Sequence, residues 1–170
     1  MELAKALASS DLLPPHYRGK PANVLVGIGY GHALGLAPLV ALNAITVIQG
    51  KPTLSAQLQS ALVRRAGHRL HVVSDDEKAT ATLVRCDDPT TQHTATWTLD
   101  MARKAGLLNG SAWRQYPDAM LAARATTTVI RNAASDVLLG VAYTPDELGG
   151  EVIDVEIDVL DDDGTIPESL

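Results

Sequence analysis

The sequence predicts an α+β domain in which a small antiparallel sheet, a hairpin plus a three-stranded meander, packs with helices. Three observations predict it. Residues 2–36 set apolar side chains at helical spacing or around a whole helix; residues 45–98 turn to short runs of Val, Ile and Thr parted by Gly, Asp and Pro; helical spacing returns from Leu99. With 170 residues, one domain with its own core is the expected count. Residues 1–148 should form that body, and residues 149–170 an acidic, mobile tail.

Each element has its own signal. Residues 2–9 suit a short amphipathic helix, stopped by Pro14-Pro15. Pro21 stands where a helix would begin, and residues 22–36 are apolar almost all round, the mark of a buried helix. Its Gly27, Gly29, Gly31 and Gly35 each cost about 0.5–1 kcal/mol relative to Ala, which close packing has to offset. Pro38 restarts a short helix. Ile45–Ile48 and Lys51–Leu54 flank Gln49-Gly50 and read as a hairpin. Ser55 can cap a helix that runs to Gly67. Residues 68–73, 79–86 and 93–98 read as strands, and the short turns at 74–77 and 87–89 make neighbours antiparallel. Residues 100–105, a short piece at Ser111–Gln115 and a long helix from Pro117 to about Ser135 complete the body.

Composition narrows the function. With no Phe, two Trp and four Tyr, the core must be Leu, Val, Ile and Ala, in helices packed closely through small residues. The single Cys86 excludes an internal disulfide and a Cys-based zinc site, and reads as a small buried apolar residue. No leader pattern opens the chain, and no stretch reaches the roughly 18 apolar residues of a membrane span, so a cytoplasmic protein with no membrane partner is expected. Residues 24–31 look like a strand entering a dinucleotide-binding glycine loop. The third glycine fails, because His32 or Leu34 stands there, and no acid follows at the ribose-binding distance. There is no phosphate-binding Walker loop. His16, His32, His68, His71 and His93 include no helix pair at metal-ligand spacing, and no nucleophile, base and orienting acid assemble. The expectation is no enzyme, no metal and no cofactor.

A formal charge of −6 argues against a nucleic-acid partner, but its distribution argues the other way. All 14 Lys and Arg lie between Lys5 and Arg131, while eight of the 20 acids fall in residues 151–170, which leaves 14 basic against 12 acidic residues before them. On the long helix, Arg124 and Arg131 are seven positions apart and share one side with Met120, Thr127 and Thr128; the rest of the circumference is apolar or Ala. Two charges on a mostly buried helix must face acids of the fold, water or an anionic ligand.

Trp113, Pro117, Met120, Arg124, Ala125 and Arg131 are followed by Asp136, Gly140, Tyr143 and Glu147, and lie far downstream of Leu12, Leu13, Pro14 and Tyr17. Between the blocks come Gly31, Leu34, Gly35, Leu36 and Pro38, then Gly50-Lys51-Pro52. In this order and spacing the chain resembles the RecT/Redβ-like single-strand annealing proteins of phages, over roughly residues 3–148. The resemblance implies a RecT/Redβ-like core that binds single-stranded DNA and anneals complementary strands without ATP in homologous recombination. It also implies a homo-oligomer, a ring or helical filament, since each subunit covers few nucleotides. Carried over by position, Arg124 and Arg131 match the family's basic positions in a positively charged groove, Trp113 and Pro117 match its helix start, and Lys51 lies beside the groove. Arg64, Arg65, Arg103, Lys104 and Arg114 are further DNA-binding candidates by charge and by proximity to matched motifs. Trp97, Trp113 and Tyr116 could stack on bases or serve as core and helix-end aromatics.

The last twenty residues admit two readings. Val152, Ile153, Val155, Ile157 and Val159 alternate with acids like a strand, while Asp161-Asp162-Asp163-Gly164 is a solvated run. The segment either keeps the chain soluble or docks on a basic groove or a partner. Family members often carry a separate C-terminal region for a phage exonuclease or the host single-strand binding protein; the short stretch after Glu147 leaves that contact open. The rival to annealing is a non-annealing interaction protein of the same fold, acting through the acidic tail. Annealing needs Arg124 and Arg131 on an open groove, whereas the rival needs them paired with acids such as Asp136 or Glu147.

Overall fold

The computed structural model describes residues 2–149, and the strand-like alternation at 152–159 lies outside them. Seven α-helices and five strands follow one another in the described chain: α1 (Glu2–Ala8), α2 (Pro21–Ala33), α3 (Pro38–Ala44), β1 (Ile45–Ile48), β2 (Lys51–Leu54), α4 (Ala56–Arg65), β3 (Arg69–Ser74), β4 (Lys78–Val84), β5 (Gln92–Thr98), α5 (Leu99–Lys104), α6 (Ser111–Gln115) and α7 (Pro117–Ala133). The α+β class, the hairpin and the three-stranded meander are as expected.

Both sheets are antiparallel. β1 pairs with β2 from Ile45 opposite Leu54 to Ile48 opposite Lys51, and β4 lies between β3 and β5. Period-2 alternation then decides which face of the larger sheet is dry. Leu70, Ala79, Ala81 and Leu83 are buried on one face, where β4, β5 and β3 all contact α7. On the opposite face the paired Thr80 and Thr96 hydroxyls hydrogen-bond at 2.9 Å. Ala79, Ala81 and the partly buried Ala95 carry little bulk, so α7 can lie close to the sheet and bury Leu121, Ala125, Val129 and Ile130. The main core is therefore the Leu, Val, Ile and Ala core that the composition requires.

Local signals set the helix ends. Ser55 Oγ accepts from Leu58 N at 3.2 Å at the start of α4, and Gly67, at φ 89°, turns the chain out of it. Thr98 does for α5 what Ser55 does for α4, accepting from Met101 N.

A second core joins α1, α2 and α3 around the fully buried Tyr17, whose hydroxyl donates to the Ile45 carbonyl at 3.1 Å. Burial pushes the Tyr17 phenol up to about 12, so it stays a neutral donor. α2 corrects the expectation of a helix buried all round. Val24, Gly27 and Gly31 are buried, but Leu25, Val26 and Tyr30 are exposed, and so is His32. The reason is that α2 meets the rest of the chain through a single glycine-lined face, against α1 and α3. Among the described residues no single helix is long and apolar enough to cross a membrane.

The glycines of α2 give a direct test of this packing. A Cβ at Gly31 would lie 2.0 Å from the Ala41 Cβ, whereas one at Gly29 meets nothing within 4 Å. Gly31→Ala should destabilise the protein by about 1–3 kcal/mol in urea unfolding. Gly29→Ala should leave it unchanged or stabilise it by up to about 1 kcal/mol. Equal effects would contradict the α2–α3 contact.

Candidate nucleic-acid interface

Arg124 and Arg131 both point from α7 toward a segment that follows it, and one carboxylate receives them. Arg131 Nη2 donates to Glu147 Oε1 and Oε2, each at 2.7 Å, and to the Ala142 carbonyl at 3.1 Å. Arg124 Nη1 lies 3.1 Å from Glu147 Oε1. The side chains of Arg124, Arg131 and Glu147 are 9%, 36% and 12% exposed. Glu147 sits in a single 3₁₀ turn, Pro145–Leu148, and reaches back to accept from Thr144 N at 2.9 Å. Burial pushes the Glu147 carboxyl up, but the Arg131 hydrogen bond, the Thr144 N–H and the two guanidinium charges outweigh it and hold the group below its ordinary value.

This geometry corrects the picture of an open basic stripe. Of the three possible partners for buried guanidiniums, an acid of the fold is the one found. Arg124 is enclosed between Glu147 and the Trp97 ring, its Cζ 5.7 Å from the ring centroid, so it does not face a groove that a strand could enter. Asp136, the other acid named for the stripe, pairs instead with Arg85.

What does reach the surface is the aromatic ring beside Arg131. Leu54 N donates to the Tyr143 carbonyl at 2.9 Å, which fastens the segment after α7 along β2. Lys51, at the start of β2, is thereby brought to Tyr143. Lys51 Nζ and Arg131 Cζ each lie 5.5 Å from the Tyr143 ring centroid, and the Tyr143 side chain remains exposed. Among the described residues Lys51 makes no ion pair with an acid. Two cations and one exposed ring thus share one edge, built from chain positions far apart in sequence.

The remaining candidates divide by what they already hold. Arg65 donates to the carbonyls of Leu34 and, at 3.0 Å, Gly35, where α2 ends, so it works as a cationic cap for another helix. Arg64 donates to the Leu70 carbonyl at 2.8 Å, and Arg103 pairs with Asp100 in its own helix. Lys104 and Arg114 are exposed and make no ion pair among the described residues. Trp113 is buried and Trp97 donates its Nε1 to Thr128 Oγ1 at 2.8 Å, so both serve packing, whereas Tyr116 is exposed.

Sequence reasoning passed over Tyr143 as a contact residue and missed Arg85. Arg85 binds Asp87 and Asp136 and donates to the Ala133 carbonyl at 2.9 Å, clamping the end of β4 to the C-terminus of α7. These bonds to Asp87 and Asp136 push its guanidinium further up and hold both carboxyls down, Asp87 to about 2. Cys86 is exposed rather than buried, because it lies just beyond the last paired residue of β4. His68, Cys86 and Asp87 bring ligand-type atoms within 4.8 Å of one another. However, His68 Nδ1 accepts from Cys86 N at 3.0 Å and Asp87 is held by Arg85, so two of the three donors are committed to the protein.

A groove of about 730 Å³ runs between α4, α6 and α7. Ser55, Ser60, Gln115, Met120, Thr126 and Thr144 line it, and no Lys or Arg does, so it is not the positively charged groove that the resemblance implies. No family model, curated protein or solved structure matches the chain.

The shared carboxylate predicts a pH signature. Because the folded-state pKa of Glu147 is depressed, the stability it contributes is complete above the ordinary glutamate value of about 4.3 and is lost as pH falls through the lower folded value. Glu147→Gln should cost about 1–3 kcal/mol at pH 7, since it takes the shared carboxylate from the enclosed Arg124 and the part-exposed Arg131. The gap to wild type should close in acid. A constant gap from pH 7 to pH 3 in urea unfolding would contradict the assignment.

Proposed function

We propose that this protein binds single-stranded DNA and anneals complementary strands without ATP, acting as a homo-oligomer along the strand. The observation that carries the reading is the Lys51–Tyr143–Arg131 edge, where two cations lie 5.5 Å from one exposed aromatic ring. This pairing of charge with a stacking platform suits single strands: Lys and Arg neutralise phosphates, and the ring stacks a base for about 1–3 kcal/mol whatever its identity. The RecT/Redβ resemblance supports the same reading, because Lys51, Arg131, Tyr143 and Glu147 all belong to the blocks that carry it.

In this mechanism the protein does no covalent chemistry. Glu147 fixes Arg131 at the ring while leaving about a third of its side chain exposed, 36%. Lys51 and Arg131 hold the phosphates of an extended strand, release counterions and leave the neighbouring bases open for a second strand to test by pairing. Sequence information stays in the DNA. Each subunit contacts few nucleotides, so a continuous track needs several subunits in register.

A second reading draws on the same geometry. Arg124 and Arg131 are paired with Glu147, which is what a non-annealing interaction protein of this fold requires. The rates separate the two. Without nucleotide and at low salt, wild-type protein should accelerate annealing of two complementary oligonucleotides, and Lys51→Ala with Tyr143→Ala should slow it about tenfold or more. Lys51→Ala alone should lower the salt slope of single-strand binding by about one. No acceleration by the wild type would leave the interaction reading in place.

A further inference from the structure

The last 3₁₀ turn of the described residues, Pro145–Leu148, lies beside the cation–aromatic edge. Glu147, bonded to Arg131 at 2.7 Å, lies two residues before Gly149, and the first acid beyond is Glu151. At about 3.3–3.6 Å per extended residue, the four residues from Glu147 to Glu151 reach no more than about 14 Å. Every charged residue after Glu147 is an acid, eight in residues 151–168, whereas the chain up to and including Glu147 has 14 Lys and Arg against 12 acids. The most anionic stretch of the molecule is therefore tethered within a few residues of Lys51 and Arg131.

We propose that residues 151–168 dock in cis on the Lys51–Tyr143–Arg131 edge and compete there with nucleic acid. The competition, though not the docking itself, rests on the annealing reading. Attachment through so few residues gives a local concentration in the millimolar range, so even weak carboxylate contacts with Lys51 and Arg131 compete with a dilute strand. The carboxylates take the place of phosphates, and the interleaved Val152, Ile153, Val155 and Ile157 can lie against the exposed ring in place of a base. The contact is electrostatic, so salt weakens it within the screening length of about 10 Å at 0.1 M. An oligomer bound to long DNA outcompetes it through many subunits at once, while an isolated subunit on a short strand does not.

The test uses the full chain with the eight acids neutralised: E151Q, D154N, E156Q, D158N, D161N, D162N, D163N and E168Q. Its affinity for a short single strand at low salt should rise about tenfold or more over wild type, with the gain shrinking as salt is added. A labelled peptide of residues 150–170, with no DNA present, should bind the neutralised chain at up to millimolar concentration and fail to bind it when Lys51→Glu is added. Peptide binding that depends on Lys51, with no DNA binding by either chain, supports the docking and overturns the nucleic-acid reading. A gain in DNA affinity without peptide binding reduces the effect to long-range charge and overturns the docking. Peptide binding that ignores Lys51→Glu overturns the assigned surface.

Discussion

The carboxylate of Glu147 is the constraint on which the rest of the site depends. An enclosed Arg124 and a part-exposed Arg131 project from one side of one helix, and one acid from a 3₁₀ turn meets both, at 3.1 Å and 2.7 Å. That contact draws the segment after α7 back across the helix. Once there, the segment lies beside β2, accepts the Leu54 N–H at its Tyr143 carbonyl and carries the Tyr143 ring to Lys51. Glu147 and the backbone bond from Leu54 N to the Tyr143 carbonyl together fix the place of the aromatic edge. A buried ion pair of this kind adds less to stability than its Coulomb energy suggests, because desolvation opposes it; here its effect is to select one position for the segment.

The rest of the fold supplies a rigid floor for that contact. α7 lies on the alanine-rich face of β3–β4–β5, and the Arg85 clamp to Asp87, Asp136 and the Ala133 carbonyl fixes its C-terminal end. Arg131 sits two residues before the end of α7, so the clamp holds the helix where the guanidinium must be aimed. At the other side Arg65 ties α4 to the end of α2 through the Leu34 and Gly35 carbonyls. Several of the chain's arginines are thus fastenings between elements. Fewer of the cations are therefore left for a ligand than the count of Lys and Arg suggests, although Lys51, Lys104 and Arg114 make no ion pairs among the described residues.

Much of this architecture is legible before any coordinates. Gln49-Gly50 between β-branched runs gives the hairpin, Ser55 and Gly67 bracket α4, and the period change at Leu99 marks the return to helices, because each signal is local in the chain. The angular position of Arg124 and Arg131 on α7 is also local, and it correctly sets both on one side. What faces that side is not local. Glu147 is named by its charge, but whether it or a ligand occupies the stripe depends on how residues 141–147 fold back, which no spacing encodes. α2 fails for a related reason: periodicity reports that a helix is apolar all round, not how many neighbours the chain supplies to cover it. Tyr143 was visible as a motif residue, yet its exposure follows from pairing with β2, a contact between distant segments.

The central claim is that Arg131 is committed to Glu147 and that this pair holds the Tyr143 edge in place. A double-mutant cycle in urea unfolding at pH 7 tests it most directly, using Arg131→Ala, Glu147→Gln and the two together. The account predicts a coupling of about 1 kcal/mol or more, with the double variant much less destabilised than the two single effects would give. Additive effects within about 0.5 kcal/mol would mean that the two side chains do not act as a unit, and would contradict it.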